Sequence, residues 1–400
     1  MRMSSNCSVM AFLSNVSLRQ QQPQHFNLFS PFRLRQHQRQ CQLYHTTQLQ
    51  RINRLSSQWK ISLSQTIGHS HSCVSMSSSL HVPLQSLTSS SSLFSSSSSS
   101  FEPPEPPNFN GQPVYPDIDL SISPQVEATK RNLDTNAVFV VTGASRGIGL
   151  QMVKSLSQRT KGIVIACCRS PDDASQLHSY IDASGTTNSP LQSRIKILPL
   201  DLEDQDSIDA LAATIQQTYN RVDILLNVAG ILGDGRTTPG PERSIRNLDR
   251  DWVEKTFQVN YIGPVFLSQA LAPMMKTKIG SQKRTQDNRP ISVIANLSAR
   301  VGSISDNGLG GWISYRSSKT ALNQATKTMS LELKRQGTFT LSLHPGTTDT
   351  DLSKPFQRNV KEGRLFPVEF TVEQLLNVID GMDERHTGGF YDWSGTALPF

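Results

Sequence analysis

Residues 1–100 contain not one aspartate or glutamate. The same stretch holds seven arginines and one lysine, a charge of +8. The whole 400-residue chain totals +7, so residues 101–400 sum to −1. The basicity therefore belongs to the leader, and the rest of the chain lacks the cationic excess that binds nucleic acid. Long apolar runs are missing too. Those of the leader are too short for a secretory signal, and none in the chain approaches the ~20 residues a membrane span requires. Cysteine is scarce: Cys7, Cys41 and Cys73 in the leader, then the adjacent pair Cys167 and Cys168. No Cys-x-x-Cys occurs, which argues against both a disulfide framework and a zinc site.

What the leader does contain is serine, glutamine and arginine, ending in a polar tract over 89–100 broken only by Leu93 and Phe94. This is the composition of an organelle transit peptide, and residues 1–100 are expected to be a disordered leader. The serine excess points to a chloroplast. The arginine-containing run RLRQHQRQ (33–40) keeps a mitochondrion open, and a low-complexity tail without an address is the plainest alternative. Residues 101–136 read as a Pro-rich linker, most extended over 101–125.

From residue 137 the pattern changes. Short β-branched runs at 137–141, 162–168, 194–200, 222–229, 291–298, 339–346 and 390–393 alternate with amphipathic stretches such as 207–219, 251–275, 314–334 and 371–382. Strand–helix alternation predicts an α/β domain over 137–400: one doubly wound, Rossmann-type parallel sheet of about seven strands with helices on both faces. In such a sheet ligands sit beyond the carboxyl ends of the strands. Those ends carry Thr142–Gly143, Cys168–Arg169, Asp201–Leu202, Asn227–Gly230, Asn296–Ser298 and His344–Gly346.

The first run continues into TGASRGIG (142–149), a strand, glycine turn and helix start. Gly143, Gly147 and Gly149 let backbone approach a ligand closely, and the unpaired N–H groups of the helix start suit a pyrophosphate. A second feature is YRSSK (315–319), which places Tyr315 and Lys319 on one helical face. A neighbouring ammonium favours phenolate, so Lys319 is expected to lower the Tyr315 pKa and fit it for acid/base work. About 20 residues past Gly149, where an NAD site carries an acid, stands Arg169; with Arg146 it could clamp a 2′-phosphate, which favours NADPH.

With these motifs in place, residues 137–400 resemble the short-chain dehydrogenase/reductase family. TGASRGIG is similar to its cofactor motif, with Thr142, Ser145 and Ile148 beside the glycines. NVAG (Asn227, Ala229, Gly230) resembles a segment beside the adenine half of the site, and Asp201 and Leu202 would contact the adenine. QVNYIGP supplies Asn260, YRSSK the Tyr and Lys, and HPGTTDT (Pro345, Gly346, Thr348, Thr350) the loop flanking the nicotinamide. The resemblance implies an oxidoreductase that moves hydride between NADPH and a small carbonyl or alcohol substrate. Tyr315 would be acid/base, Lys319 would hold the ribose, Asn260 would hold a relay water, and a serine would bond the carbonyl. It also implies a homodimer or homotetramer, with the helices bearing Asn260 and Tyr315 at the interface.

One position departs from the pattern. In NLSARVGS (296–303) the usual serine place holds Ala299, and Ser298 stands one residue earlier; a one-residue shift on a strand turns a side chain to the other face. Ser298 is the expected hydroxyl, with Ser303 a further candidate. NLSARVGSISDN…GGW…YR.SK resembles the C-factor and sniffer-like carbonyl reductase branch. Ala299 keeps open a catalytically weak dinucleotide-binding sensor or scaffold, and C-factor likeness a signalling role. The segment 351–370, with Leu352, Phe356, Leu365 and Phe366, is expected to cover an apolar or aromatic substrate.

Overall fold

The computed structural model describes residues 115–400 apart from 123, 184–192, 280–282 and 285–287. The expected leader and residues 101–114 lie outside the described residues. Seven parallel strands form the main sheet: β1 (Val138–Thr142), β2 (Ile163–Cys168), β3 (Ile195–Pro199), β4 (Ile224–Asn227), β5 (Ser292–Leu297), β6 (Thr338–His344) and β7 (Phe390–Asp392). Their order is β7-β6-β5-β4-β1-β2-β3. All seven coincide with the apolar runs read from the sequence.

Helices pack on both faces. They are α1 (Val126–Leu133), α2 (Gly147–Arg159), α3 (Ser175–Asp182), α4 (Gln205–Thr218), α5 (Arg250–Phe257), α6 (Gly263–Leu271), α7 (Ile313–Leu333) and α8 (Val368–Gly381). Every residue of β1 is buried. Alternation splits them: Phe139 and Val141 join Met152 of α2 and Leu375 of α8 in one core, while Val138 and Val140 join Ile208 of α4 and Leu267 of α6 in the other. A strand covered on both faces needs apolar side chains at both parities, hence the unbroken VFVV. The order of strands reverses between β1 and β4, and this places the crevice at the end of β1.

The linker expectation for residues 115–136 is corrected. Ile118 is buried, and its N–H donates to the Gly395 carbonyl at 2.8 Å. The Asp117 carboxylate accepts from the Ala397 N–H at 2.7 Å. α1 follows, with Arg131 buried against Asp380 of α8 at 2.9 Å and Asn132 donating to the other carboxylate oxygen at 3.0 Å. Arg159 at the end of α2 donates to that same oxygen at 2.8 Å. Prolines suggested an extended tether, but Ile118 and the charged groups give this segment enough to bury and bond. Removing one member of a buried ion network strands the others without water. Asp380→Ala is therefore expected to cost about 3–5 kcal/mol, read as a lower urea midpoint of the full chain. A loss below ~1 kcal/mol would mean that the strap contributes little to stability.

Candidate active site

The carboxyl ends of the strands open into a cleft of about 960 Å³. Its floor is the turn between β1 and α2. Gly143 has φ +66°, and a Cβ there would come within 2.9 Å of the Ala229 Cα; one at Gly149 would come within 2.2 Å of the Gly143 carbonyl. The turn is thus packed to the backbone, which only glycine permits. The Thr142 hydroxyl accepts from the N–H groups of Val228 and Ala229 at 3.0 and 3.1 Å, tying the turn to the next strand end. At the start of α2 the N-cap residue Arg146 offers no side-chain cap. The first-turn amides are left for an anion at the positive end of the helix dipole.

Nearly all the residues expected from the sequence line this one cleft: Thr142, Gly143, Ser145, Arg146, Gly147, Ile148 and Gly149 of the turn; Arg169, Asp201 and Leu202; Ala229 and Gly230; Ser298; Tyr315 and Lys319; and Pro345, Gly346, Thr348 and Thr350. Two are elsewhere. Asn227 is buried within the sheet layer, donating to Asn296 Oδ1 at 2.8 Å and Ser268 Oγ at 3.2 Å, while Asn296 bonds Thr326 of α7. It joins β4, β5 and two helices rather than facing a ligand. Asn260 lies in a π-helical turn, Gln258–Ile262, between α5 and α6. Such widened turns are frequent at functional sites. Its side chain clamps one residue of the cleft wall: Oδ1 accepts from the Ile231 N–H at 2.8 Å and Nδ2 donates to the Ile231 carbonyl at 2.9 Å. The amide expected to hold a water is thus engaged with backbone.

The charges also differ from expectation. The buried Lys319 donates to the Leu297 carbonyl at 2.8 Å, with Nζ 5.7 Å from the centre of the Tyr315 ring. Burial pushes the phenol up to about 12 and the ammonium down to about 8. Desolvation is the cause of both shifts, so the lowering of Tyr315 expected from Lys319 is not found. Arg169 is 65% exposed and sits 3.7 Å from Glu203, which Lys255 also approaches at 3.5 Å. An exposed pair of this length is cheap to break, so the guanidinium is available to a stronger anion.

Ser298 resolves the departure at Ala299. β5 ends at Leu297, and Ala299 continues in extended conformation (φ −153°, ψ 147°) before the 3₁₀ turn Arg300–Gly302. Both residues line the cleft. Ser298 is 3% exposed, and its Oγ makes no hydrogen bond. A buried hydroxyl without a protein partner is costly, and this one lines a cleft where a bound group could accept from it. Ser303 is occupied elsewhere, accepting from the Asp306 N–H at 3.1 Å.

Three residues in or beside the site receive no role from the sequence reading. Glu242 is buried, accepts from Ser314 Oγ at 2.5 Å and from the Ser314 N–H at 3.3 Å, and so anchors the start of α7. Its surroundings, PGPERS, have no periodicity. Trp312 precedes α7 and lines the cleft. His344, at the end of β6, also lines it; burial holds the imidazole down to about 4, so the ring is neutral. The strand-end position of His344 was the one clue.

Comparison with known proteins agrees with this geometry. Residues 137–361 match the family model described as short chain dehydrogenase. The NADPH-bound carbonyl reductase from chicken fatty liver is 30% identical, with a TM-score of 0.56 over 67% of this chain and 100% of that one. The carbonyl reductase Sniffer of Drosophila melanogaster is 29% identical, with a TM-score of 0.55 over the same shares. The C-signal protein of Myxococcus xanthus is 32% identical over 179 residues, 45% of this chain and 93% of its own. The chain belongs to the short-chain dehydrogenase family and is an NAD(P)-dependent oxidoreductase.

Proposed function

We propose that the protein is an NADPH-dependent carbonyl reductase with Tyr315 as its acid/base. The unpartnered, buried Ser298 hydroxyl, which lines the same cleft as Tyr315, carries this reading. A carbonyl oxygen gathering negative charge is the acceptor such a hydroxyl lacks. When bound, the cofactor supplies the hydride. The fit for it rests on the glycine floor, the uncapped start of α2, and the two arginines that line the cleft. Gly143, Gly147 and Gly149 would admit the pyrophosphate, Arg146 and Arg169 would hold a 2′-phosphate, and Lys319 would bond the ribose.

The remaining chemistry belongs to the side chains. A phenol held near 12 keeps its proton at neutral pH, the form that can donate to a substrate oxygen. Lys319, near 8, is mostly charged at pH 7 and favours the phenolate left behind. The intact Ser298, Tyr315 and Lys319 support an enzyme over the sensor or scaffold reading. The acid-free composition of the leader supports delivery to an organelle, and its serine excess supports a chloroplast.

Titrating NADPH and NADH into the full chain tests the cofactor assignment. NADPH should bind more tightly, and Arg169→Ala should weaken it about tenfold or more while changing NADH little, the size of a charge-assisted contact. Equal losses for both nucleotides would overturn the assignment.

A further inference from the structure

Gly310, Gly311 and Trp312 have φ of +65°, +67° and +55°, three successive left-handed residues. Glycine occupies that region freely, but a bulky side chain does so only under strain. Strained residues persist where their surroundings over-determine them, and they cluster at ligand-binding positions. The surroundings here are Glu242. Its backbone carbonyl accepts from the Trp312 N–H at 2.5 Å, and its carboxylate grips Ser314 two residues on. That grip uses only the backbone of residue 312, so glycine or asparagine would serve the turn with less strain. The indole is not what the turn requires.

The indole does meet the site. Its ring lies 5.2 Å from Phe356, tilted by 56°, and 6.4 Å from Tyr315, edge-on at 78°. All three rings line the cleft that holds the open Ser298 hydroxyl, and Trp312 and Phe356 are only half-buried. Phe356 comes from the segment after the Pro345–Gly346 loop, so two segments distant in sequence bring their rings together at the cleft. Aliphatic Val301 and Leu232 line the same cleft. A flat ring entering here would find aromatic edges and faces at contact distances that favour it.

We propose that Trp312, with Phe356, is the platform that selects planar aromatic aldehydes and ketones, holding the ring while the carbonyl points to Ser298 and Tyr315. The proposal rests on the reductase reading, and its test separates the two. Benzaldehyde and cyclohexanecarbaldehyde have similar size and differ in planarity. On the full chain with NADPH, wild type should prefer benzaldehyde. Trp312→Gly, and independently Phe356→Leu, should lower the benzaldehyde-to-cyclohexanecarbaldehyde ratio of kcat/KM at least tenfold. Trp312→Phe, which keeps a flat ring, should hold that ratio within about threefold of wild type. Differences in intrinsic reactivity cancel in these ratios. Turnover with ratios unmoved by Trp312→Gly and Phe356→Leu would overturn the platform and leave the reductase standing. Turnover of neither aldehyde would overturn the reductase. Calorimetric titration of the NADP⁺-loaded protein with benzamide and cyclohexanecarboxamide then decides the platform: a benzamide preference lost in Trp312→Gly supports it, and equal binding overturns it.

Discussion

Tyr315→Phe should lower kcat by about 10²–10⁴-fold while leaving NADPH affinity within about twofold, the range for loss of a positioned acid. The side chain is 9% exposed, and phenylalanine keeps its volume and its edge contact with Trp312. What disappears is the hydroxyl, and with it the proton that burial keeps in place to about pH 12. Neither water nor Lys319 substitutes easily: the ammonium already donates to the Leu297 carbonyl. Single-turnover kinetics with saturating NADPH would read the hydride step directly. A variant retaining more than about a tenth of wild-type kcat would place the acid elsewhere and overturn the assignment of Tyr315.

Ser298→Ala should have the second-largest effect, and it should separate activity from stability. Loss of one donor to a developing oxyanion costs about 10²–10³-fold in kcat. The fold should lose nothing, because Oγ has no partner to leave behind and its removal takes an unsatisfied polar atom out of the interior. The melting temperature should be unchanged or slightly higher. Most core substitutions do the reverse, so the pairing is diagnostic of a group kept for its chemistry. An active Ser298→Ala variant would overturn the assignment of Ser298, and Ser303, whose hydroxyl accepts from the Asp306 N–H, does not line the cleft to replace it.

The strands and the glycine turn were legible because their causes are local. Burial on both faces demands continuous apolar runs, and close backbone approach demands Gly143 and Gly149. Tyr315 and Lys319 were legible from helical spacing. The fate of Ser298 was not, because period-two reasoning stops where the strand stops, at Leu297, and the next two residues follow the turn into Gly302. A Cβ at Gly302 would meet the Lys319 Cβ at 2.8 Å, so that turn is set by a long-range contact. Glu242 was hidden for the same reason: its partner Ser314 is 72 residues away. The Lys319–Tyr315 electrostatics were misjudged because spacing reports proximity and says nothing of desolvation. Asn227 stood at a strand end, yet the parity of β4 turns it toward Asn296 and Ser268.

The strap formed by residues 115–136 separates two boundaries that are usually drawn together. The stretch recognisable by kinship begins at residue 137. The stretch that acquires its shape as one body begins earlier, since Ile118 and Arg131 are interior residues and Asp117 holds Ala397 near the far end of the chain. A chain starting at residue 137 would therefore lack about twenty residues that belong to the same packed body. Such a chain would keep every residue of the cleft and lose the Arg131 and Asn132 partners of the buried Asp380.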